Sequence, residues 1–536
     1  MPVRQTKLVW ICLLTAVVAL GLALRLYGIR WGLPDALHPV YSYHPDESLQ
    51  LFAAERLANG TVFPKHFIYG GTIYFALLNA VSHLAELLRG VLGGVDLLAD
   101  TILLGRYLLV IVALVTIVLA YHVGRLLFSR AVGGLAALFL AIAPAHIVYA
   151  QCLRPDEIAV FLAVMVLYLS ARILRSEPRH HKRDFVYLGL VLGVTAAFRF
   201  PLIVFAAAPV TAQLLASEST SWATRWRSLL DGRIAIMGVC MPVAYALASP
   251  QTFLFPEIFI EGLKVQWRYQ SSPYLDAIGM GPGIYQYGWL MLHQALGYTL
   301  YALAALGLFY AAVKRTTADW LLFVMIVPYL AMTSFTSWVV VRYTLPLVPL
   351  LTILAARVTV ECLRSSYVVR ALSYTVLATA IGWTLCADIA YLRLEAGRNV
   401  RDVATAWIEQ HIAGGSSIAL VKAYVEDEFF NPVIPEGYKH HAFYLNEYVD
   451  GTQLFREDKY DYLVLNEATY KNMERLGASH PSMQARRFYE SLMASRYRMI
   501  QEFKPLPTFL GVDFSGSFAS GDYSIVNPGI RVYQRQ

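Results

Sequence analysis

"FVYLGLVLGVTAAFRFPLIVFAAAPVTAQLLA", residues 185–216, lies between two basic connectors, and the number of times it crosses a membrane sets the topology around it. Before it stands "RILRSEPRHHKRD" (172–184), the most basic connector of the chain; after it, 217–232 carries Arg225 and Arg227. Short basic connectors stay on the cytoplasmic side of a membrane. The segment must therefore leave that side and return to it. Its 32 residues make only about 48 Å of helix at 1.5 Å per residue, whereas two full crossings take about 60 Å. The pair is expected to turn below the far surface, near "FRFP" (198–201), with Pro201 as the breaker. Arg199 is then suspended at that turn.

The rest of the chain agrees with a membrane setting. Of 536 residues, 57% are hydrophobic and 15% charged, against about 25% charged in soluble proteins. Apolar runs at about 8–28, 103–124, 131–150, 157–174, 233–249, 286–313, 318–335, 342–362 and 369–391 each approach the roughly 20 residues that a spanning helix needs. The first of them, "LVWICLLTAVVALGLALRLYGI", is too long for a signal-peptide core and reads as a retained anchor. In "TIYFALLNAVSHLAELLRG" (72–90), His83, Glu86 and Arg89 recur at helical spacing, which favours a helix lying in the interface. The basic pairs Arg125 with Arg130 and Lys314 with Arg315 mark further cytoplasmic connectors. This threading predicts a polytopic α-helical membrane domain over 1–391 with about eleven spans plus interfacial helices. Its first outer loop is 29–102, and its long outer loop, 250–285, carries Lys264, Trp267, Arg268 and Tyr269.

The formal charge of +7 is divided among the connectors, so no nucleic acid is expected as a partner. Cys12, Cys152, Cys240, Cys362 and Cys386 sit in or beside apolar runs without metal or redox spacing, which argues against a disulfide framework or a structural zinc.

Residues 392–536 differ in kind. "DVATAWIEQHI" (402–412) has the period of an amphipathic helix, "GGSSIALV" a turn entering a strand, "YDYLVLN" (460–466) a buried strand, "RFYESLMAS" a helix and "NPGIRVYQR" a last strand. Alternating helix and strand predicts a small α/β domain, outside the cytoplasm by the same threading. It carries no nucleotide-binding signature.

Two acid pairs now share the outer face: Asp46-Glu47 in "YSYHPDESLQ" (41–50) and Asp156-Glu157 in "YAQCLRPDE" (149–157). Arg154 and His44 flank them, Arg199 hangs at the sunken turn, and Arg342-Tyr343 opens "VVVRYTLPLVPLL" on the same side. Ionisable groups at membrane depth are costly and usually line a polar cavity. Acid on one wall and arginine on another suits a nucleophilic hydroxyl and an anionic leaving group. A carboxylate accepts the proton, and guanidinium groups hold phosphate through paired hydrogen bonds. Simpler roles fit some of these residues. Asp46 or Glu47 could cap the helix that follows, Asp156-Glu157 could serve a helix dipole, Arg199 and Arg342 could be snorkelling anchors, and His66 and Tyr69 of "FPKHFIYGG" could be interfacial groups.

Taken in order, the anchor helix, "HPDE", "FPKHFIYGG", the short loop with Asp156, "RYTLPLVPLL" and "DVATAWIEQHIAGGSSIALV" resemble the GT-C class of membrane glycosyltransferases, in particular bacterial relatives of dolichyl-phosphate-mannose protein mannosyltransferases and lipid A aminoarabinose transferases. The resemblance implies an inverting transfer of a sugar from a polyprenyl-phosphate donor to an acceptor hydroxyl, on the extracytoplasmic face of a bacterial cytoplasmic membrane. It implies Asp46 as general base or acceptor-orienting group, with Glu47 as its catalytic neighbour. It further implies Arg199, Arg342, Tyr343 and Arg154 at the lipid phosphate, and His44, Asp156, His66 and Tyr69 around the substrates. Relatives commonly place Tyr-Pro where this chain has Tyr69-Gly70. The partners implied are membrane lipids, the lipid-linked donor and an acceptor that is glycan, lipid or protein. No cofactor is firmly implied; a divalent metal is used by some members of the class, and His44, Asp46, Glu47 and Asp156 could ligate one. A secondary transporter and a non-catalytic lipid-binding relative are the rival readings.

Overall fold

A computed structural model of the chain describes all residues except 1–2, 60–70, 94–95, 176–180, 217–220, 231, 272–280, 337–338, 423–428, 445–459 and 476–495. Among the described residues, six helices are long and apolar enough to cross a membrane: Leu8–Leu26, Leu97–Leu127, Asp156–Arg175, Thr317–Ser334, Val341–Leu363 and Tyr367–Ala396. A seventh candidate is a pair bent by 64°, Arg130–Ala141 with Pro144–Gln151, and shorter apolar helices cover Phe200–Ala216, Gly232–Ala248 and Tyr298–Lys314. The protein is a multi-pass helical membrane protein with a small sheet domain at its carboxyl end.

In chain order, α1 (Val3–Leu26) is followed by α2 (Pro45–Ala58), α3 (Thr72–Leu92), α4 (Leu97–Leu127), α5 (Arg130–Ala141) and α6 (Pro144–Val148). The expected single span at 131–150 is thus two helices. Pro144 has no N–H to continue α5 and instead starts α6 at its first turn. Next come α7 (Asp156–Arg175), α8 (His181–Phe198) and, after the break at Arg199 and a 3-10 turn over Phe200–Ala206, α9 (Ala207–Ala216). The expected break at "FRFP" is where the helix stops.

α8 lies against α10 (Gly232–Ala248) along much of its length, because two glycines one turn apart remove the side chains between them. A Cβ on Gly189 would stand 2.5 Å from that of Cys240, and one on Gly193 would stand 2.3 Å from the Met241 carbonyl oxygen. Small residues four apart let membrane helices approach to backbone contact. The connector expected at 250–285 contains α11 (Pro256–Ser271), on which Lys264, Trp267 and Arg268 are exposed. The span expected at 286–313 is broken: a π-helical turn (Gln286–Met291) and a short α-helix (Leu292–Leu296) end at Gly297, which takes φ +78°, and α12 (Tyr298–Lys314) starts beyond it. α13 (Thr317–Ser334), α14 (Val348–Leu363, entered through a 3-10 turn at Val341–Leu347) and α15 (Tyr367–Ala396) complete the helical part. The Val341–Leu363 segment is 83% buried and Leu8–Leu26 only 17%, so α14 is the central post and α1 is peripheral.

α3 is two-sided. Tyr74, Phe75, Leu78, Val81 and Ala85 are buried at three- and four-residue spacing, while His83, Glu86 and Arg89 are exposed. Its first residue is preceded by Gly71, whose N–H donates to the Ala197 carbonyl at 2.6 Å. A Cβ there would meet Ser249 Oγ at 2.3 Å, the Ala248 carbonyl oxygen at 3.0 Å and that of Ala197 at 3.1 Å. This close approach accounts for glycine at the position. Gly71→Ala is expected to destabilise the fold by about 1–3 kcal/mol, as overpacking does; chemical denaturation of the purified variant measures it.

In the carboxyl-terminal domain, α16 (Val400–His411) covers a five-stranded sheet of order β2-β1-β3-β7-β4. The strands are β1 (Ser417–Lys422), β2 (Lys439–Tyr444), β3 (Tyr462–Asn466), β4 (Tyr497–Phe503) and β7 (Ile530–Arg535), with a separate hairpin of β5 (Thr508–Phe509) and β6 (Val512–Asp513) against α15. β1 pairs in parallel with β2 and β3, and β7 runs antiparallel to β3 and β4. Ala404, Ile408 and Ile412 pack on Ile418, Leu420, Val464, Ile530 and Val532. The helix expected at "RFYESLMAS" lies outside the described residues.

Candidate active site

Two helix beginnings face each other across the site. α2 starts with Pro45 in its first turn, and His44 caps it: the imidazole Nδ1 accepts the Asp46 N–H at 3.2 Å. α7 starts at Asp156, after the turn that carries Arg154. Each start presents an Asp-Glu pair, and in each the two acids part company, because neighbours in a helix point about 100° apart.

The glutamates turn inward. Glu47 is fully buried and receives Arg106 of α4 through both oxygens, Nε to Oε1 at 2.9 Å and Nη2 to Oε2 at 2.7 Å. It also accepts from Ser42 Oγ at 2.6 Å and from the Leu153 N–H at 2.7 Å, the latter in the turn before α7. Burial raises its pKa, but Arg106 outweighs that and leaves it below the ordinary glutamate value. Glu157 stands 3.0 Å from His146 Nε2, and His146 Nδ1 lies 2.5 Å from Arg25 Nη2. Both glutamates therefore tie helix starts to neighbouring helices.

The aspartates turn away from those partners and enter a row of alternating charge. Asp522 Oδ1 lies 3.6 Å from Arg342 Nη1, which lies 4.0 Å from Asp46 Oδ2. Asp46 pairs with Arg154 Nη1, Arg154 Nε donates to Asp156 Oδ2 at 2.9 Å, and Asp156 Oδ1 pairs with Arg199 Nη2. The guanidinium carbons of Arg199 and Arg342 lie 5.5 and 5.9 Å from the Tyr343 ring centre. Within the row the Asp46 side chain is 27% exposed while that of Asp156 is 2% exposed. Asp46 is thus the carboxylate open to a ligand. Burial would raise its pKa, yet Arg154 and Arg342 more than offset this and hold it at about 2.

The structure brings together Asp46, Asp156, Arg154, Arg199, Arg342, Tyr343 and His44. Glu47, expected to be catalytic, sits behind Asp46 with its oxygens taken by internal partners. His66 and Tyr69 lie outside the described residues. The sequence reading missed Asp522, Tyr149 and Arg106. Arg106 had a signal, since an arginine inside an apolar run needs a partner; Asp522 had none, being far along the chain in another domain.

As a metal site the residues do not fit: Glu47 and Asp156 are each engaged by guanidinium groups, and His44 Nδ1 is occupied by its capping bond. Among the described residues no group of three or more His, Cys, Asp or Glu could hold a metal ion.

His44 makes a pH prediction. Burial lowers its imidazole pKa to about 4, with Arg154 and Arg342 adding to the effect against Asp46 and Glu47. The unfolded chain, with its histidine near 6.5, then binds a proton that the fold does not between those values. Stability is accordingly complete above about pH 6.5 and falls as the pH drops toward 4, by at most about 3 kcal/mol from this group. His44→Asn keeps a capping acceptor and is expected to flatten that decline in melting temperature across the same window.

Residues 93–245, a stretch under a third of the chain that contains Arg154, Asp156 and Arg199, match the family described as dolichyl-phosphate-mannose-protein mannosyltransferase. Over almost its whole length the fold is similar to the oligosaccharyltransferase of Archaeoglobus fulgidus in the apo form (TM-score 0.54, 10% identity, 98% of this chain and 88% of that one). It is also similar to the same organism's AglB in complex with an inhibitory peptide and a dolichol-phosphate (TM-score 0.53, 11% identity, 99% and 89%). ArnT from Cupriavidus metallidurans bound to undecaprenyl phosphate aligns over 98% of both chains at 13% identity, with a TM-score of 0.47. No curated protein matches in sequence.

Proposed function

We propose that the protein transfers a sugar from a polyprenyl-phosphate donor to an acceptor hydroxyl, on the extracytoplasmic face of a bacterial cytoplasmic membrane. The observation that carries this reading is the row itself: two guanidinium groups, Arg154 and Arg342, meet on one carboxylate that is open to a ligand, and a third, Arg199, joins the row through Asp156. The archaeal oligosaccharyltransferase of similar fold, solved with a dolichol-phosphate, supports a lipid phosphate as the donor's anionic part. The basic connectors support placing the site and the α/β domain outside the cytoplasm.

In this reading Arg154, Arg199 and Arg342 hold the donor phosphate, and Asp46 orients the acceptor hydroxyl. The acceptor oxygen bonds to the anomeric carbon from the face opposite the phosphate while the bond to the phosphate oxygen breaks. Asp46 takes the hydroxyl proton, and the electron pair leaves on the polyprenyl phosphate. Charge grows on that phosphate as the bond opens, so guanidinium groups already in place favour the transition state over the ground state. A carboxyl held near pKa 2 is a weak base. The incoming phosphate competes with Asp46 for Arg154 and Arg342, however, and each guanidinium it draws away restores basicity to Asp46. Donor binding and base activation are then one event.

The test is incubation of the purified protein with a panel of polyprenyl-phosphate sugars, following thermal stabilisation and release of polyprenyl phosphate. A donor that stabilises the protein and is consumed with acceptor supports the assignment. Uptake of a solute into proteoliposomes with no glycosyl product would assign the row to transport instead.

A further inference from the structure

The carboxyl-terminal domain sends one short segment down onto the helices, and its acid stands at the end of the charge row. Four contacts seat the segment. Tyr523 OH donates to the Gln294 carbonyl at 2.9 Å, and the Ser520 N–H donates to Gln294 Oε1 at 2.7 Å. Phe518 stacks on Tyr391 with ring centres 4.5 Å apart, and Tyr391 OH donates to the Tyr523 carbonyl at 3.1 Å. Between these anchors the Asp522 side chain is 7% exposed. Its Oδ2 accepts from Tyr149 OH at 2.6 Å and from the Arg342 backbone N–H at 3.3 Å, while Oδ1 faces Arg342 Nη1 at 3.6 Å. One carboxylate therefore grips Arg342 at both its backbone and its head.

Resting on the donor reading above, we infer that Asp522 is a positioning residue by which the carboxyl-terminal domain completes the donor-phosphate site. It holds Arg342 extended along the row. When phosphate displaces Asp46 from Arg342, Asp522 remains as a counter-charge on the far side, so the buried guanidinium is never stripped of its anions at once. An arginine side chain loses rotamer entropy when it is held in place; an anchor that freezes it beforehand spares the ligand that cost. The sign of the effect separates this role from plain electrostatics. Removing a negative charge beside an anion site should by itself tighten anion binding. Weaker binding can arise only from lost positioning.

Farnesyl phosphate, a short polyprenyl monophosphate, serves as the probe on the full-length protein in detergent. Asp522→Asn is expected to bind it about tenfold more weakly than wild type, Tyr149→Phe more weakly by a smaller factor, and Asp522→Glu closer to wild type. With a donor and acceptor in hand, KM for the donor should rise and that for the acceptor stay unchanged. Equal or tighter binding by Asp522→Asn and Tyr149→Phe would overturn the inference while leaving the donor assignment standing, and so would a rise confined to the acceptor KM. If Asp522→Asn fails to fold, Tyr149→Phe decides alone: unchanged affinity overturns it. Absence of binding by wild type would remove the donor reading and this inference together.

Discussion

Asp46→Asn should abolish sugar transfer, lowering turnover by about 10²- to 10⁴-fold, the range that a positioned general base supplies, while the protein folds normally. The side chain is the partly open member of its row, and its helix is capped by His44 rather than by its own carboxylate. Little of the fold therefore depends on its charge. Donor binding should not suffer. Neutralising Asp46 frees Arg154 and Arg342 from a competing anion, so polyprenyl phosphate should bind at least as tightly to Asp46→Asn as to wild type. Collapsed turnover with undiminished donor affinity is a split that a folding defect cannot produce. Full activity in the variant would remove Asp46 from the chemistry.

Glu47→Gln should fail in the opposite way. The Glu47–Arg106 pair has no exposed surface on either side chain, and breaking a buried pair by removing one charge typically costs about 3–5 kcal/mol. The expected outcome is a large drop in melting temperature, with donor-dependent turnover per folded molecule kept within about tenfold. Arg106 also donates to the Ile29 and Trp31 carbonyls at 2.8 Å. Replacing Glu47 and Arg106 together by leucine and methionine should therefore recover only part of the loss. A Glu47→Gln protein that is stable but inactive would instead make Glu47 part of the reaction.

The contrast between these neighbours marks where sequence reading ran out. "HPDE" and "RPDE" announced two acid pairs, which the threading expected on one face of the membrane, and in the fold Asp46 and Asp156 share Arg154. Which acid of each pair enters the charge row depends on which side of the helix start meets Arg106 or His146, and those partners come from other helices. Breaks in spans followed the same division. Pro201 stands where α8 stops, as its chemistry requires, whereas the bend before Pro144 and the kink at Gly297 fell inside runs whose hydropathy looked continuous. Hydropathy measures a window's average and is blind to one backbone torsion.

By itself the sequence determined that this is a multi-pass helical protein with a small α/β domain, because lipid demands long apolar helices and leaves charge only in connectors and sites. It also picked out the short motifs whose charged residues meet in the row. Only the tertiary structure decided that the row runs Asp522, Arg342, Asp46, Arg154, Asp156, Arg199, and that its first member comes from the carboxyl-terminal domain. The physical reason is that ion pairing acts through space: Asp522 lies 180 residues from Arg342, and no local pattern can report a partner that folding alone brings near.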